Sequence, residues 1–264
     1  MNYRGAILDV DGTVVRGDEP IAGAGDGLSA IESAGLGRVF VSNNPTKRPT
    51  AYEERFARAG FEVDETEVVT AGTVTARYFA EERPDAAVYV VGEGGLVEIL
   101  DEAGVSVVED ADDADVYLVS IDRSFDYDTL CDALDILADD GVAFVGTDPD
   151  MVIPGAERDV PGSGAVINAV AGVSEREPDA VLGKPSETAR TMALERLGTD
   201  PEETVVVGDR LDTDIALGER FGMTTVLVRT GITDEETLSR SSIEPDYVLD
   251  SLGDIGRVLD GSAN

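Results

Sequence analysis

The sequence predicts an α/β fold: a Rossmann-like parallel sheet flanked by helices, with a second α/β segment inserted into it. Short, wholly apolar runs alternate with amphipathic stretches along the chain, and several of these runs stop abruptly at polar residues. Such runs read as strands buried on both faces, as in parallel sheet. Turn-like segments at Arg83-Pro84-Asp85 and Arg176-Glu177-Pro178-Asp179 bracket a stretch with its own strand–helix rhythm. The simplest organisation is therefore a core of residues 1–81 and 179–264 around an inserted domain of residues 82–178.

Taken in order, Ala6-Ile7-Leu8 is the first strand and breaks off into Asp9-Val10-Asp11-Gly12-Thr13. A helical stretch near 24–34 leads to Val39-Phe40-Val41, which ends at Ser42-Asn43-Asn44, and a second helix follows near 48–59. The insertion carries strand-like runs at 88–91, 116–119 and 142–145, with helical stretches near 95–103 and 127–138. The glycine-rich 92–95 lacks dinucleotide-binding spacing and reads as a turn into a helix; Pro161-Gly162-Ser163-Gly164 reads as a helix start. Back in the core, Ala180-Val181-Leu182 precedes Gly183-Lys184, and Pro185-Ser186 starts a helix that Gly198 stops. Val205-Val206-Val207 then runs into Gly208-Asp209, a helix covers roughly 212–221, and runs at 225–228 and 247–249 complete the pattern.

Composition narrows the chemistry. The 264 residues include 55 Asp+Glu against 20 Lys+Arg, a formal net charge of −35, and no histidine. Without imidazole there is no Ser-His-Asp triad, no phosphohistidine and no histidine metal site. The single Cys131 excludes thiolate zinc clusters and falls in a helical pattern as a small core residue. What remains is carboxylate, hydroxyl, amine and a hard, oxygen-liganded metal, with Mg²⁺ the natural choice. The charge disfavours nucleic acid or an anionic membrane as partner. No apolar stretch approaches bilayer length and no signal peptide is evident, so a cytoplasmic location is expected. Dense acids with almost no lysine resemble the proteins of extreme halophiles, where molar salt shortens the Debye length to roughly 3 Å and screens self-repulsion.

In so acidic a chain a bare D-x-D is cheap; it recurs at Asp110-Asp112, Asp126-Asp128, Asp148-Asp150 and Asp212-Asp214, among others. The strand ends carry the signal. Residues i and i+2 of an extended segment point the same way, so Asp9 and Asp11 can address one reacting centre. In a parallel sheet Asp9/Asp11, Ser42-Asn43-Asn44, Lys184 and Asp209/Asp214 all gather at the C-terminal rim, where ligands bind. A phosphate monoester dianion resists an anionic nucleophile. A divalent cation on Asp9, the Asp11 main-chain carbonyl and Asp209 would offset that repulsion. The ammonium of Lys184, one of only two lysines, would sit near nucleophile and phosphoryl oxygens; Ser42 and the amides after it would bind phosphate. Asp11 would donate a proton to the leaving oxygen and take one from water.

These segments resemble the four motifs of the haloacid dehalogenase-like (HAD) superfamily, in family order, the last as G-D-x-x-x-x-D over Gly208–Asp214. The insertion resembles the large α/β cap of its NagD and para-nitrophenyl phosphatase branch, through Val90–Leu96, Asp122–Tyr127, Thr147–Asp150 and Pro161–Gly164. The resemblance implies a phosphoaspartyl enzyme at Asp9, acid/base work at Asp11, phosphate binding by Ser42, Asn43, Asn44 and Lys184, and Mg²⁺ at Asp9, Asp11 and Asp209. Asp214 and Thr13 would support these groups. Arg123, Asp148 and Asp150 are candidates for substrate contact in the cap, and Asp148 departs from the family, which commonly has Asn there. The expected activity is hydrolysis of a small phosphorylated metabolite beneath a closing cap, with homodimerisation through the cap also implied. The alternatives are a phosphorylatable receiver-type signalling protein, a module about half this long, and a non-catalytic phosphate-binding protein.

Overall fold

The computed structural model describes residues 3–154 and 158–262. The chain begins with β1 (Gly5–Asp9), a small hairpin of β2 (Val15–Arg16) and β3 (Glu19–Pro20), α1 (Ala24–Ser33), β4 (Gly37–Ser42), α2 (Pro49–Arg58) and β5 (Val68–Thr70). It continues through α3 (Ala71–Glu82), β6 (Ala87–Val91), α4 (Gly94–Glu102), β7 (Ser106–Val108), β8 (Val116–Val119), α5 (Tyr127–Ile136), β9 (Ala143–Gly146), β10 (Val152–Ile153), β11 (Val160–Pro161), α6 (Ser163–Ser174) and β12 (Ala180–Val181). The last part holds α7 (Glu187–Leu197), β13 (Thr204–Gly208), α8 (Ala216–Phe221), β14 (Thr224–Val228), α9 (Glu235–Arg240), β15 (Tyr247–Leu249) and α10 (Gly256–Leu259).

These elements form two compact units. The first holds the residues up to Ser42, Pro49–Val69 and Lys184 onward; the second holds Asn43–Arg48 and Thr70–Gly183. The first is built on a six-stranded sheet in the order β15-β14-β13-β1-β4-β5. Its central strands β1 and β13 run parallel, with Ile7 opposite Val206, and β4 runs parallel on the other side, with Asp9 opposite Val41. Every residue of β13 is buried, as are Gly5–Leu8 of β1, which explains their unbroken apolar runs. Helices α1 and α2 cover the sheet with Leu28, Ile31, Tyr52 and Phe56, and the Phe40 and Phe56 rings lie 4.7 Å apart. Ser186 caps α7 by accepting from the Ala189 amide, and Gly198 ends it at φ 63°, as the sequence predicts.

The second unit has a five-stranded parallel sheet, β12-β9-β8-β6-β7. The sequence reading marks the insertion at 82–178, whereas this unit also takes in α3 and Asn43–Arg48: the carbonyls of Pro45 and Thr46 pack against Gly72 of α3 and Gly95 of α4. Helix α3 follows a capping box at Thr70 and Thr73 that the hydrophobic pattern alone does not register.

Three expectations need correction. The strand before Lys184 does not belong to the core sheet. Ala180 pairs with Val145 and the Leu182 amide donates to Gly146 O, so β12 is an edge strand of the second unit's sheet. Lys184 therefore reaches its position from a loop. The helix expected over 212–221 begins instead as a π-helical turn at Leu211–Ile215 and becomes α-helical at Ala216. Cys131 is exposed and not in the core, because α5 buries Ala133 and turns Tyr127, Cys131 and Leu134 to solvent. Spacing shows an apolar stripe but not which way it faces.

Candidate active site

The site lies in the first unit, at the C-terminal ends of β1 and β13. Asp9 ends β1, and its side chain is 11% exposed. Lys184 Nζ donates to Asp9 Oδ1 at 2.5 Å and to Asp214 Oδ1 at 2.6 Å, so one ammonium bridges two carboxylates. The π-helical turn accounts for the placement of Asp214: it brings the side chain back so that Oδ2 accepts from the Arg210 amide at 3.0 Å. Thr13, fully buried, donates to Asp9 Oδ2 at 3.3 Å.

Asp209 follows β13, and its Oδ2 accepts from the Ile232 amide at 2.7 Å. Two glycines make room for it. Gly12 adopts φ 90°, and a Cβ there would fall 2.6 Å from Asp209 Oδ2; a Cβ on Gly231 would overlap the same carboxylate. The loop at Thr230-Gly231-Ile232 is thus part of the site, though its sequence offers no stronger signal than a Thr-Gly after a strand.

Burial is the largest influence on these groups. It pushes the Asp9 carboxyl well above the usual range, opposed by the Lys184 ammonium and reinforced by the charges of Asp214 and Asp209. Burial, then the Asp214 charge, pushes Asp209 up to about 7. Burial alone would favour neutral Lys184, but Asp214 and Asp9 together outweigh it and hold the ammonium charged.

Three buried carboxylates facing one ammonium are short of positive charge. Ligand oxygens of Asp9, Asp209 and Asp214 lie within 4.8 Å of one another, and Asp209 Oδ1 is buried without a hydrogen-bond partner. An orphaned carboxylate oxygen in such a place is costly. An all-oxygen donor set with one unsatisfied carboxylate oxygen fits a hard divalent cation.

The other expected residues are placed differently. The Asp11 carboxylate stands outside the acidic cluster and makes a bidentate pair with Arg55, at 2.5 and 3.0 Å. Ser42 is buried one residue beyond the strand position opposite Asp9, its Oγ 2.8 Å from the Tyr52 hydroxyl. Sequence reading missed both Tyr52 and Arg55; their only signal is a spacing of three on α2, which puts them on one helix face. Asn43, Asn44, Asp148, Asp150 and Arg123 belong to the second unit. Asn43 Nδ2 donates to Asp150 Oδ1 at 3.1 Å, and Asn44 Oδ1 accepts from the Thr46 and Lys47 amides, closing a turn. Asp148 is buried, with Thr147 Oγ1 and the Asp150 amide donating to it, and Arg123 pairs with Glu93 at the surface.

A parallel sheet that ends in a lysine-bridged aspartate beside an orphaned acidic oxygen is the arrangement that the sequence motifs predict. Comparison with known proteins agrees. Residues 6–106 match the family described as haloacid dehalogenase-like hydrolase, and residues 181–255 match a second, HAD-hydrolase-like family. An acid sugar phosphatase of Staphylococcus haemolyticus is 34% identical over 95% of this chain and 94% of its own length. The 5'-nucleotidase YutF of Bacillus subtilis is also 34% identical, over 95% of this chain and 96% of its own. Among solved structures, the p-nitrophenyl phosphatase of Archaeoglobus fulgidus aligns with a TM-score of 0.89 at 37% identity, covering 98% of this chain and 100% of that one. NagD of E. coli K-12 aligns with a TM-score of 0.84 at 30% identity, covering 97% and 99%. The chain belongs to the haloacid dehalogenase-like hydrolases, in their NagD and p-nitrophenyl phosphatase branch.

Proposed function

We propose that this hydrolase is a Mg²⁺-dependent phosphatase that cleaves a small phosphate monoester through a phosphoaspartate on Asp9. The observation that carries the reading is the Lys184 ammonium bridging Asp9 and Asp214 beside the orphaned Asp209 Oδ1. Asp9, Asp209 and the Asp11 main-chain carbonyl would hold the cation, which supplies Lewis-acid charge against the phosphoryl oxygens.

In the first step an Asp9 oxygen attacks phosphorus. The bond from phosphorus to the ester oxygen breaks, and its electron pair stays on the leaving oxygen, which takes a proton from the Asp11 carboxyl. In the second, Asp11 takes a proton from water as the water oxygen attacks phosphorus. The bond from phosphorus to Asp9 breaks, freeing inorganic phosphate and restoring both acids. Lys184 steadies the Asp9 carboxylate before attack and faces the charge that develops on the phosphoryl group, while Ser42 binds a phosphoryl oxygen. Sugar phosphates and nucleoside monophosphates are the first substrates to try, given the named activities of the two enzymes that share 34% of their residues with this chain.

The test is release of inorganic phosphate from para-nitrophenyl phosphate. EDTA and Asp9→Asn should each abolish it, and acid-quenched enzyme should carry a phosphoryl increment on the peptide that contains Asp9. Absence of turnover across a phosphate-ester panel with Mg²⁺ present would reject the reading. A phosphoaspartate that persists for minutes would point to signalling instead.

A further inference from the structure

Arg55 is an unusual residue to find on the buried face of α2. Its side chain is 8% exposed, while its partner Asp11 is 55% exposed. The acid end of this pair is open to solvent, while the arginine end is buried and its fork meets the carboxylate bidentately. The geometry is well defined. Nη2 meets Asp11 Oδ1 at 2.5 Å, Nη1 meets Oδ2 at 3.0 Å, and Nε donates to Gly17 O at 2.7 Å. The same helix grips the β2–β3 turn a second time through Arg58, which pairs with Asp18 at 3.1 Å. Tyr52, one turn back, lies under the Arg55 guanidinium at 5.9 Å and touches Ser42. One face of α2 therefore connects the Ser42 hydroxyl to the Asp11 carboxylate.

We infer that Arg55 is a positioning residue for proton transfer, a fixed post on which the Asp11 carboxyl pivots to present one oxygen to the ester. This rests on the phosphatase reading above. In the bidentate pose both Asp11 oxygens are engaged, so neither faces a leaving group. Releasing the longer Nη1–Oδ2 contact frees one oxygen, which takes a proton from solvent at this half-exposed position and carries it to the ester. The Nη2 contact retains the other, and the bond from Nε to Gly17 O keeps the guanidinium from following. The planar, five-donor fork of arginine permits this, and a lysine ammonium does not reproduce it.

The experiment compares two esters. The para-nitrophenolate leaves as a stable anion and needs little protonation, whereas the alkoxide of glycerol 2-phosphate needs a proton, a transfer worth about 10²–10⁴-fold. Arg55→Gln should lower kcat/KM on glycerol 2-phosphate about tenfold or more beyond its effect on para-nitrophenyl phosphate. In an Asp11→Asn background the same change should add nothing. Arg55→Lys should show the same ester dependence at smaller size, and it carries the test should the glutamine variant fail to unfold cooperatively. An equal loss on both esters, or effects that multiply with Asp11→Asn, would overturn the inference while leaving the phosphatase reading intact. A wild-type enzyme that releases phosphate from neither ester would overturn both.

Discussion

Each unit of this protein buries acid beside other acid, and the partners that meet the cost of burial differ between the two. In the first unit Lys184 bridges Asp9 and Asp214, Asp209 stands beside them, and one buried oxygen of Asp209 has no hydrogen-bond partner. In the second, Asp148 accepts from Thr147 and the Asp150 amide while Asn43 donates to Asp150, and burial with the Asp150 charge pushes Asp148 up to about 7. Buried carboxylates are tolerated when paired, when they bind metal, or when they take up a proton. The first cluster pairs two of its acids with an ammonium. Asp148 in the second has hydrogen bonds instead, while burial raises a carboxyl to about 7 in both, Asp148 here and Asp209 in the first. An acidic cluster by itself is thus no sign of a metal centre; an ammonium at its middle and an unsatisfied oxygen at its edge distinguish the two.

The sharpest way to break this contrast is to remove the nucleophile. Asp9→Asn should reduce phosphate release by about a thousandfold or more with little loss of thermal stability, read from steady-state turnover and melting together. If the variant retained a tenth of wild-type activity, the two clusters would differ in charge but not in chemistry.

Lys184→Ala attacks the compensation itself. Leaving Asp9 and Asp214 buried without their ammonium should cost about 3–5 kcal/mol in chemical unfolding, and activity should fall as well. Asp209→Asn probes the orphaned oxygen: calorimetric titration should show a tenfold or greater loss of Mg²⁺ affinity, on the scale of disturbing one metal-site group. Unchanged affinity would remove Asp209 from the cation site.

In the second unit Asp148→Asn should act through pH. A carboxyl whose folded pKa is near 7, against about 3.9 when free, holds a proton in the folded state that the unfolded chain has lost across that interval. Its contribution is complete below about pH 4 and disappears as the pH rises through 7. The Asp148 carboxyl should therefore account for a loss on the order of 2–4 kcal/mol between pH 5 and 8, and Asp148→Asn should remove that share of the slope while the share from Asp209 stays. A slope unaltered by the substitution would place the titration elsewhere. The smallest and least local effect concerns salt. If the −35 charge reflects a halophilic origin, lowering NaCl from molar to about 0.1 M should lower the melting temperature of both units; a salt-independent melt would argue against that origin.

Local chemistry made much of this legible in the sequence. Unbroken apolar runs marked β1, β4 and β13, and the polar residues that end them placed Asp9, Ser42 and Asp209 at one rim. The rarity of lysine singled out Lys184, and absent histidine confined the chemistry to oxygen ligands. These are properties of period, composition and strand direction, which a linear chain carries openly. Tertiary structure decided the rest, because a linear pattern does not say which surface an element faces or which sheet a short strand joins. It assigned β12 to the second sheet and delivered Lys184 from a loop. It turned Cys131 to solvent, made a π-helical turn to aim Asp214, and brought Ile232 and Arg55 to Asp209 and Asp11 across 23 and 44 residues of chain. Each of these depends on what packs opposite, and no residue in the chain announces its partner.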